Sequence, residues 1–275
     1  MPPHRAAQVR ELEAYLQAVV ERPRQAAQIV FLCGPLSRET GYLSKTVGTA
    51  AERRAAERGE KVKFLFVDCR IDMSLVAMFN KALRSLGHAF PSRGLGFEAL
   101  LQSFLETIRE EGVHLVIAFG SFDLLVESDP SALFTLTELS KISRSYQAFS
   151  CMLISKSLDY LSKVDPSTRK SLPESVVVLE PYSAEQLYDM LLYRSKEAFR
   201  EGAVDDMSLQ MAAELASVRG DARFAVELLY VAGKFAQRAG SERVSPRHVK
   251  LAYGRLAKRV RLLGQQTPCS ELKSG

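Results

Sequence analysis

Residues 29–46 read Ile29-Val30-Phe31-Leu32-Cys33, then Gly34-Pro35-Leu36-Ser37-Arg38-Glu39-Thr40-Gly41-Tyr42-Leu43-Ser44-Lys45-Thr46. The first five residues are apolar and partly β-branched, the composition of a buried strand. Gly34 ends the run, and a polar loop and a helix-like stretch follow. A strand, a glycine-bearing loop and a helix, in that order, are the setting of a phosphate-binding loop. In such a loop backbone N–H groups curl round the phosphates, a Lys reaches the β/γ-phosphates and a Ser/Thr hydroxyl holds Mg²⁺. Counted from Gly34 at that spacing, Thr40 stands at the lysine position and Gly41 at the hydroxyl position. The strand, the first glycine and the helix are present, but the loop chemistry is not. Ser44-Lys45-Thr46 follows a few residues later and would serve only in a longer loop.

Working outward, strands and helices alternate. Val9, Leu12, Leu16 and Val19 recur at helical spacing within residues 4–22, and Pro23 ends that helix. The helix after the loop runs to about Gly59. Val62–Arg70 is a strand with a polar end, and residues 73–86 form a helix with Leu75, Met78, Phe79, Leu83 and Leu86 on one face. A loop at 89–95 contains Pro91 and Gly94. A helix over 96–111 then leads to strand His114–Phe119, a helix over 131–144 to strand Phe149–Ser155, and a polar segment to a fifth strand, Ser175–Leu179. The alternation predicts an α/β domain: a parallel five-stranded sheet with helices on both faces. After Pro181-Tyr182-Ser183 everything reads as helix, over 184–199, 207–217, 221–238 and 246–264. Ser183 with Gln186 predicts a capping box, and Ser245-Pro246 a cap followed by proline at the first helical position. The expected organisation is an α/β domain over 1–180, a helical domain over 181–264 and a flexible tail over 265–275.

Composition narrows the class. The 275 residues are 47% hydrophobic and 25% charged, which is ordinary for a globular protein. A net charge of +5 permits an anionic partner without requiring one. Cys33, Cys69, Cys151 and Cys269 form no CxxC pair, and the first three lie in apolar runs, so they read as core residues rather than zinc ligands. The N-terminus has no signal-peptide core and no run reaches membrane-spanning length, which points to a cytoplasmic protein with no membrane partner. His4, His88, His114 and His248 fall in different elements and read as structural or surface residues. There is no Ser-His-Asp or GxSxG pattern.

Several stretches together resemble the archaeal AAA+ replication initiators of the origin-recognition/cell-division-control type, over about residues 3–256. Pro181-Tyr182-Ser183-Ala184-Glu185-Gln186-Leu187 is similar to that family's opening of the helical lid. Gly220-Asp221-Ala222-Arg223 with Glu227-Leu228-Leu229 resembles its second sensor helix, and Ser241 to Ala252 its next helix. Pro3-His4-Arg5, Val67-Asp68-Cys69-Arg70 and the Pro91/Arg93-Gly94-Leu95 loop also fit. The resemblance implies an AAA+-type fold, ATP or ADP with nucleotide-linked Mg²⁺, double-stranded DNA, and other initiator subunits or a helicase as partners. It places candidate nucleotide contacts at Gly34, Lys45, Thr46, Asp123, Lys156, Tyr182 and Arg223. It places candidate DNA contacts at Arg84 and Arg93 in the insertion after the second strand; the basic last helix, with Lys250, Arg255, Lys258, Arg259 and Arg261, offers further contacts at Lys258 and Arg259.

The departures are specific. Gly120 and Ser121 stand where the family has its Mg²⁺-holding Asp and its Glu base, leaving Asp123 as the last acidic position. Lys156 aligns with the polar first sensor. Asp165 to Leu172 only partly matches the arginine-finger segment, and the chain stops where a winged-helix domain would begin. Losing the metal carboxylate and the base together removes most hydrolytic rate. No residue is therefore assigned a catalytic role and no metal site other than nucleotide-linked Mg²⁺ is expected. The expected function is a diverged initiator-like AAA+ protein that binds DNA weakly, mainly through phosphates, or a partner initiator, without hydrolysis. The alternatives are an active ATPase with a rearranged loop using Lys45 and Thr46, and an interaction module that binds neither nucleotide nor DNA.

Overall fold

The computed structural model describes residues 3–23, 27–34, 37–88, 96–146, 148–170, 172 and 175–264. The chain divides into two compact units, Met1–Glu180 and Pro181–Gly275.

The first unit is built on five strands: β1 Ile29–Cys33, β2 Val62–Asp68, β3 His114–Gly120, β4 Phe149–Ser155 and β5 Val176–Val178. They form one parallel sheet in the order β2-β3-β4-β1-β5. The central strands β1, β3 and β4 are buried along their whole length, which is why they read as continuous apolar runs rather than alternating ones. Alternate residues feed two cores. Val30, Leu32, Val116, Ala118, Met152 and Ile154 pack under α1 (Ala6–Glu21) and α2 (Ser37–Glu57). Phe31, Leu115, Ile117, Phe119, Phe149 and Leu153 pack on the other face under α3 (Leu75–Ser85), α4 (Phe97–Glu110), α5 (Phe122–Ser128) and α6 (Ser131–Tyr146).

Short elements escape sequence reading. The helix α5, a 3-10 turn at Asp159–Lys163 and α7 (Pro166–Lys170) span seven, five and five residues. Such lengths are too short to show a hydrophobic period. At the amino edge of the sheet His114 is fully buried, and its Nε2 lies 2.9 Å from Ser150 Oγ, which also accepts from the Gln28 N–H. Cys33, Cys69 and Cys151 are buried free thiols, and burial pushes Cys69 up to about 12.

The second unit contains α8 (Ala184–Ala198), α9 (Asp206–Ser217), α10 (Ala222–Arg238) and α11 (Pro246–Gly264). The capping box forms as expected: Ser183 Oγ accepts from the Gln186 N–H, and Gln186 Oε1 accepts from the Ser183 N–H. Asp205 caps α9 by accepting from the Ser208 N–H, and Asp221 caps α10 by accepting from the Arg223 and Phe224 N–H groups. Leu187, Leu191, Leu209, Leu228, Val249 and Ala252 meet in its core. Among the described residues no helix is long and apolar enough to cross a membrane.

One buried ion ties the first unit together. Arg5 is 3% exposed; its Nε donates to Glu39 Oε1 at 2.6 Å and its Nη2 to the Glu180 carbonyl at 2.7 Å. The guanidinium thus joins the start of α1, the first turn of α2 and the chain beyond β5. Arg5→Ala removes the guanidinium from a mostly buried carboxylate and a backbone acceptor. It is expected to cost about 3–5 kcal/mol, read by urea denaturation.

Candidate functional site at the carboxyl edge of the sheet

Open parallel sheets bind ligands at the carboxyl ends of their strands. Here that edge is formed by Cys33, Asp68, Gly120 and Ser155, with Gly34 and Lys156 just beyond. β1 ends at Cys33 and α2 starts at Ser37, so the connection is short. A Cβ built on Gly34 would lie 2.9 Å from Leu179 Cβ and 3.2 Å from Thr40 Cγ2, so only glycine fits. Thr40, at the lysine position, is fully buried.

The longer loop that would present Ser44-Lys45-Thr46 is not built. Lys45 lies eight residues into α2, about 12 Å along its axis. Ser44 is buried and donates to the Gly41 carbonyl, and Thr46 Oγ1 donates to the Tyr42 carbonyl, both at 2.9 Å. The ammonium of Lys45 rests 4.1 Å from the centroid of the Phe66 ring. The expectation that Lys45 and Thr46 sit at the phosphate end of the helix is therefore corrected. Because α2 starts early, they fall in its body.

On the far side, Ser121 adopts a left-handed backbone (φ 58°, ψ 44°) between β3 and α5. It turns the chain so that Asp123 enters the first turn of α5. Asp123 Oδ1 is buried and has no hydrogen-bond partner among the described residues. Burial pushes its carboxyl above the ordinary carboxylate range, opposed by its own backbone N–H and by the charge of Lys156. Lys156 is exposed, and its backbone carbonyl accepts from the Cys33 thiol at 3.5 Å. At the end of β2, Asp68 is held by both Arg70 Nη2 (2.6 Å) and Nε (2.9 Å), which lowers its pKa. Among the described residues no group of three or more His, Cys, Asp or Glu could hold a metal ion. A metal-bound nucleotide does not fit the residues present: Thr40, Gly41 and Gly120 offer neither ammonium, hydroxyl nor carboxylate where it needs them.

In the second unit Tyr182, a candidate ligand contact by sequence, is 3% exposed and packs in the lid core. Its N–H donates to the Gly220 carbonyl at 3.1 Å. Gly220 has φ +56°, and a Cβ there would lie 2.3 Å from Pro181 Cβ. Arg223 is exposed in the first turn of α10, its N–H capped by Asp221 at 2.8 Å. Arg84 is exposed at the end of α3, its Nε donating to the Asn80 carbonyl at 3.3 Å. Arg93 lies outside the described residues, as do the side chains of Arg259 and Arg261. Lys250, Arg255 and Lys258 are exposed on α11, whose opposite side buries Val249, Ala252 and Leu256. Arg247 joins them on the exposed face. It escaped the sequence reading, although its spacing of three helical turns from Lys258 marked it.

A parallel sheet with this strand order, followed by a four-helix unit, defines the AAA+ class with a helical lid. Residues 188–254 match the family model of the Cdc6 AAA+ ATPase-type lid domain. The chain is 30% identical over 254 residues to an ORC1-type DNA replication protein of Thermococcus kodakarensis, covering 90% of this chain and 60% of that protein. It is 26% identical over 262 residues to ORC1-type DNA replication protein 2 of Sulfurisphaera tokodaii, covering 92% and 63%. The ORC1 protein of Aeropyrum pernix, solved in complex with DNA, superposes with a TM-score of 0.75 at 28% identity, over 98% of this chain and 70% of that one. The Cdc6p of Pyrobaculum aerophilum shares the fold, with a TM-score of 0.76 at 22% identity, over 98% of this chain and 71% of that one. In sequence and in fold the chain is therefore similar to the ORC/Cdc6-type AAA+ proteins. It spans less than two thirds of the length of these curated relatives.

Two outcomes follow from the geometry. Asp123 has a folded pKa above its unfolded value, so its ionisation opposes folding at neutral pH. Asp123→Asn should raise the midpoint of thermal unfolding at pH 7, and the gain should vanish as pH falls below about 4, where the acid is protonated in both states. Gly220→Ala meets both a left-handed backbone and the Pro181 ring. It should destabilise the lid by about 2 kcal/mol or more, seen as loss of amide protection in α10 by hydrogen exchange.

Proposed function

We propose that this chain is a diverged initiator-like AAA+ module that binds double-stranded DNA, and partner initiator subunits or a helicase, without hydrolysing ATP. The observation that carries the reading is the carboxyl edge, where the fold persists while Thr40, Gly41, Gly120 and Ser121 replace the groups that position phosphate, metal and water. Hydrolysis needs positioning, Mg²⁺ and charge stabilisation together. The DNA half of the reading is supported by the exposed basic face of α11 and by a relative solved in complex with DNA. Arg247, Lys250, Arg255 and Lys258 would meet phosphates rather than read bases, which makes the binding weak and salt-dependent. Nucleotide binding without turnover is part of the reading. Arg223, exposed at the head of α10, is the group offered to a phosphate, and an ORC2 protein of the same fold has been solved in ADP and ADPNP complexes.

The test has two arms. Steady-state phosphate release should stay at background with and without DNA and Mg²⁺. Fluorescence anisotropy on a labelled duplex should show affinity that falls with salt and varies little with sequence. Lys258→Ala should then weaken binding to all duplexes alike and reduce the salt slope by about one unit. Turnover above background overturns the first half, and absence of association at low salt overturns the second in favour of a protein-only interaction module.

A further inference from the structure

Gly41, Lys45, Phe66 and Gly120 meet at one place under α2. Gly41 and Gly120 occupy the two positions at which a P-loop protein carries the Ser/Thr hydroxyl and the aspartate that hold Mg²⁺. A Cβ built on Gly120 would lie 2.6 Å from Phe66 Cζ, and 3.3 and 3.4 Å from Cε2 and Cε1. A Cβ on Gly41 would lie 3.5 Å from the same Cζ. The tip of one ring thus touches both positions and stands between them. For a side chain to enter at residue 120, the ring must leave its seat.

The surroundings are set for a ring and against a metal. Lys45 is one turn beyond Gly41 on the same side of α2. Its ammonium is 4.1 Å from the ring centroid, within the range at which an aromatic face holds a cation. The nearby carboxylate of Asp68 is already taken by two Arg70 nitrogens. Asp123 is driven by burial toward its protonated form, the opposite of what a metal ligand needs.

We propose that Phe66 is a plug in the divalent-cation place of this fold, with the Lys45 ammonium seated on it as a fixed positive charge, so that the unit is closed to a divalent metal whether or not a nucleotide is bound. The two glycines are then not merely losses: they make the room the ring occupies. This inference concerns the metal and does not rest on the DNA reading.

A double-mutant cycle reads the plug directly. Gly120→Ala should lower the thermal midpoint by several degrees in the wild-type background, and by less than half as much alongside Phe66→Ala. Equal losses in both backgrounds would show that the ring does not fill the site. Electron paramagnetic resonance of Mn²⁺ supplies the second readout. The full chain should take up no Mn²⁺ alone, and with ADP no more than ADP itself takes up. Uptake beyond that level by the wild-type chain would overturn the proposal, whatever its activity on DNA.

Discussion

The close seating of α2 on two aromatic rings of β2 governs the first unit. Gly48 lies over Phe64, where a Cβ would come within 2.1 Å of Cδ2, and Gly41 lies over Phe66. Glycine at these positions lets the helix axis approach the sheet until the rings fill the gap. Side chains there would hold the helix off. Interior glycine costs about 1 kcal/mol of helix propensity each. Burial of the aromatic rings and the close contact offset that cost. The same approach places Lys45 against a ring face, so the chemistry of the edge follows from packing a few residues away.

This constraint explains why the edge keeps the shape of a nucleotide site without its groups. α2 begins at Ser37, three residues after Gly34, and Thr40 is drawn into the core beneath Gly34 and Leu179. A buried Thr at that place cannot do the work of a lysine. Arg5 and Glu39 then lock the first turn of α2 to the end of β5, so the short connection is braced from behind. The lid is braced separately. Its caps at Ser183, Asp205 and Asp221 are all formed, and Gly220 brings its chain against Pro181 and Tyr182. Each unit is thus held by its own local contacts.

Much of this was legible in the sequence. Five apolar runs separated by helical periods were enough for a parallel α/β sheet, because strands buried on both faces must be apolar throughout. The four lid helices were legible, and so was the Ser183–Gln186 capping box, because capping is a local contest between a side chain and the backbone within four residues; the caps at Asp205 and Asp221 were not read from the sequence. Thr40, Gly41 and Gly120 could be counted off as departures, since motif spacing is a property of the chain alone. The reading failed where short range was not enough. The burial of Tyr182 in the lid core was not read, and a seven-residue α5 showed no period.

What the sequence determined by itself was therefore the sheet, the lid and the absence of metal-holding side chains at residues 41 and 120. What only the tertiary structure decided was where the loop stops and the helix begins, and hence that Lys45 and Thr46 lie in the body of α2. It also decided that Arg5, from the far end of the unit, closes on Glu39 and the Glu180 carbonyl, and that Phe66 stands between two distant glycines. The physical reason is range. Propensity, capping and periodicity act over a few residues, whereas the space left by a missing Cβ can be filled by any side chain the fold brings near, and only the packed chain chooses which.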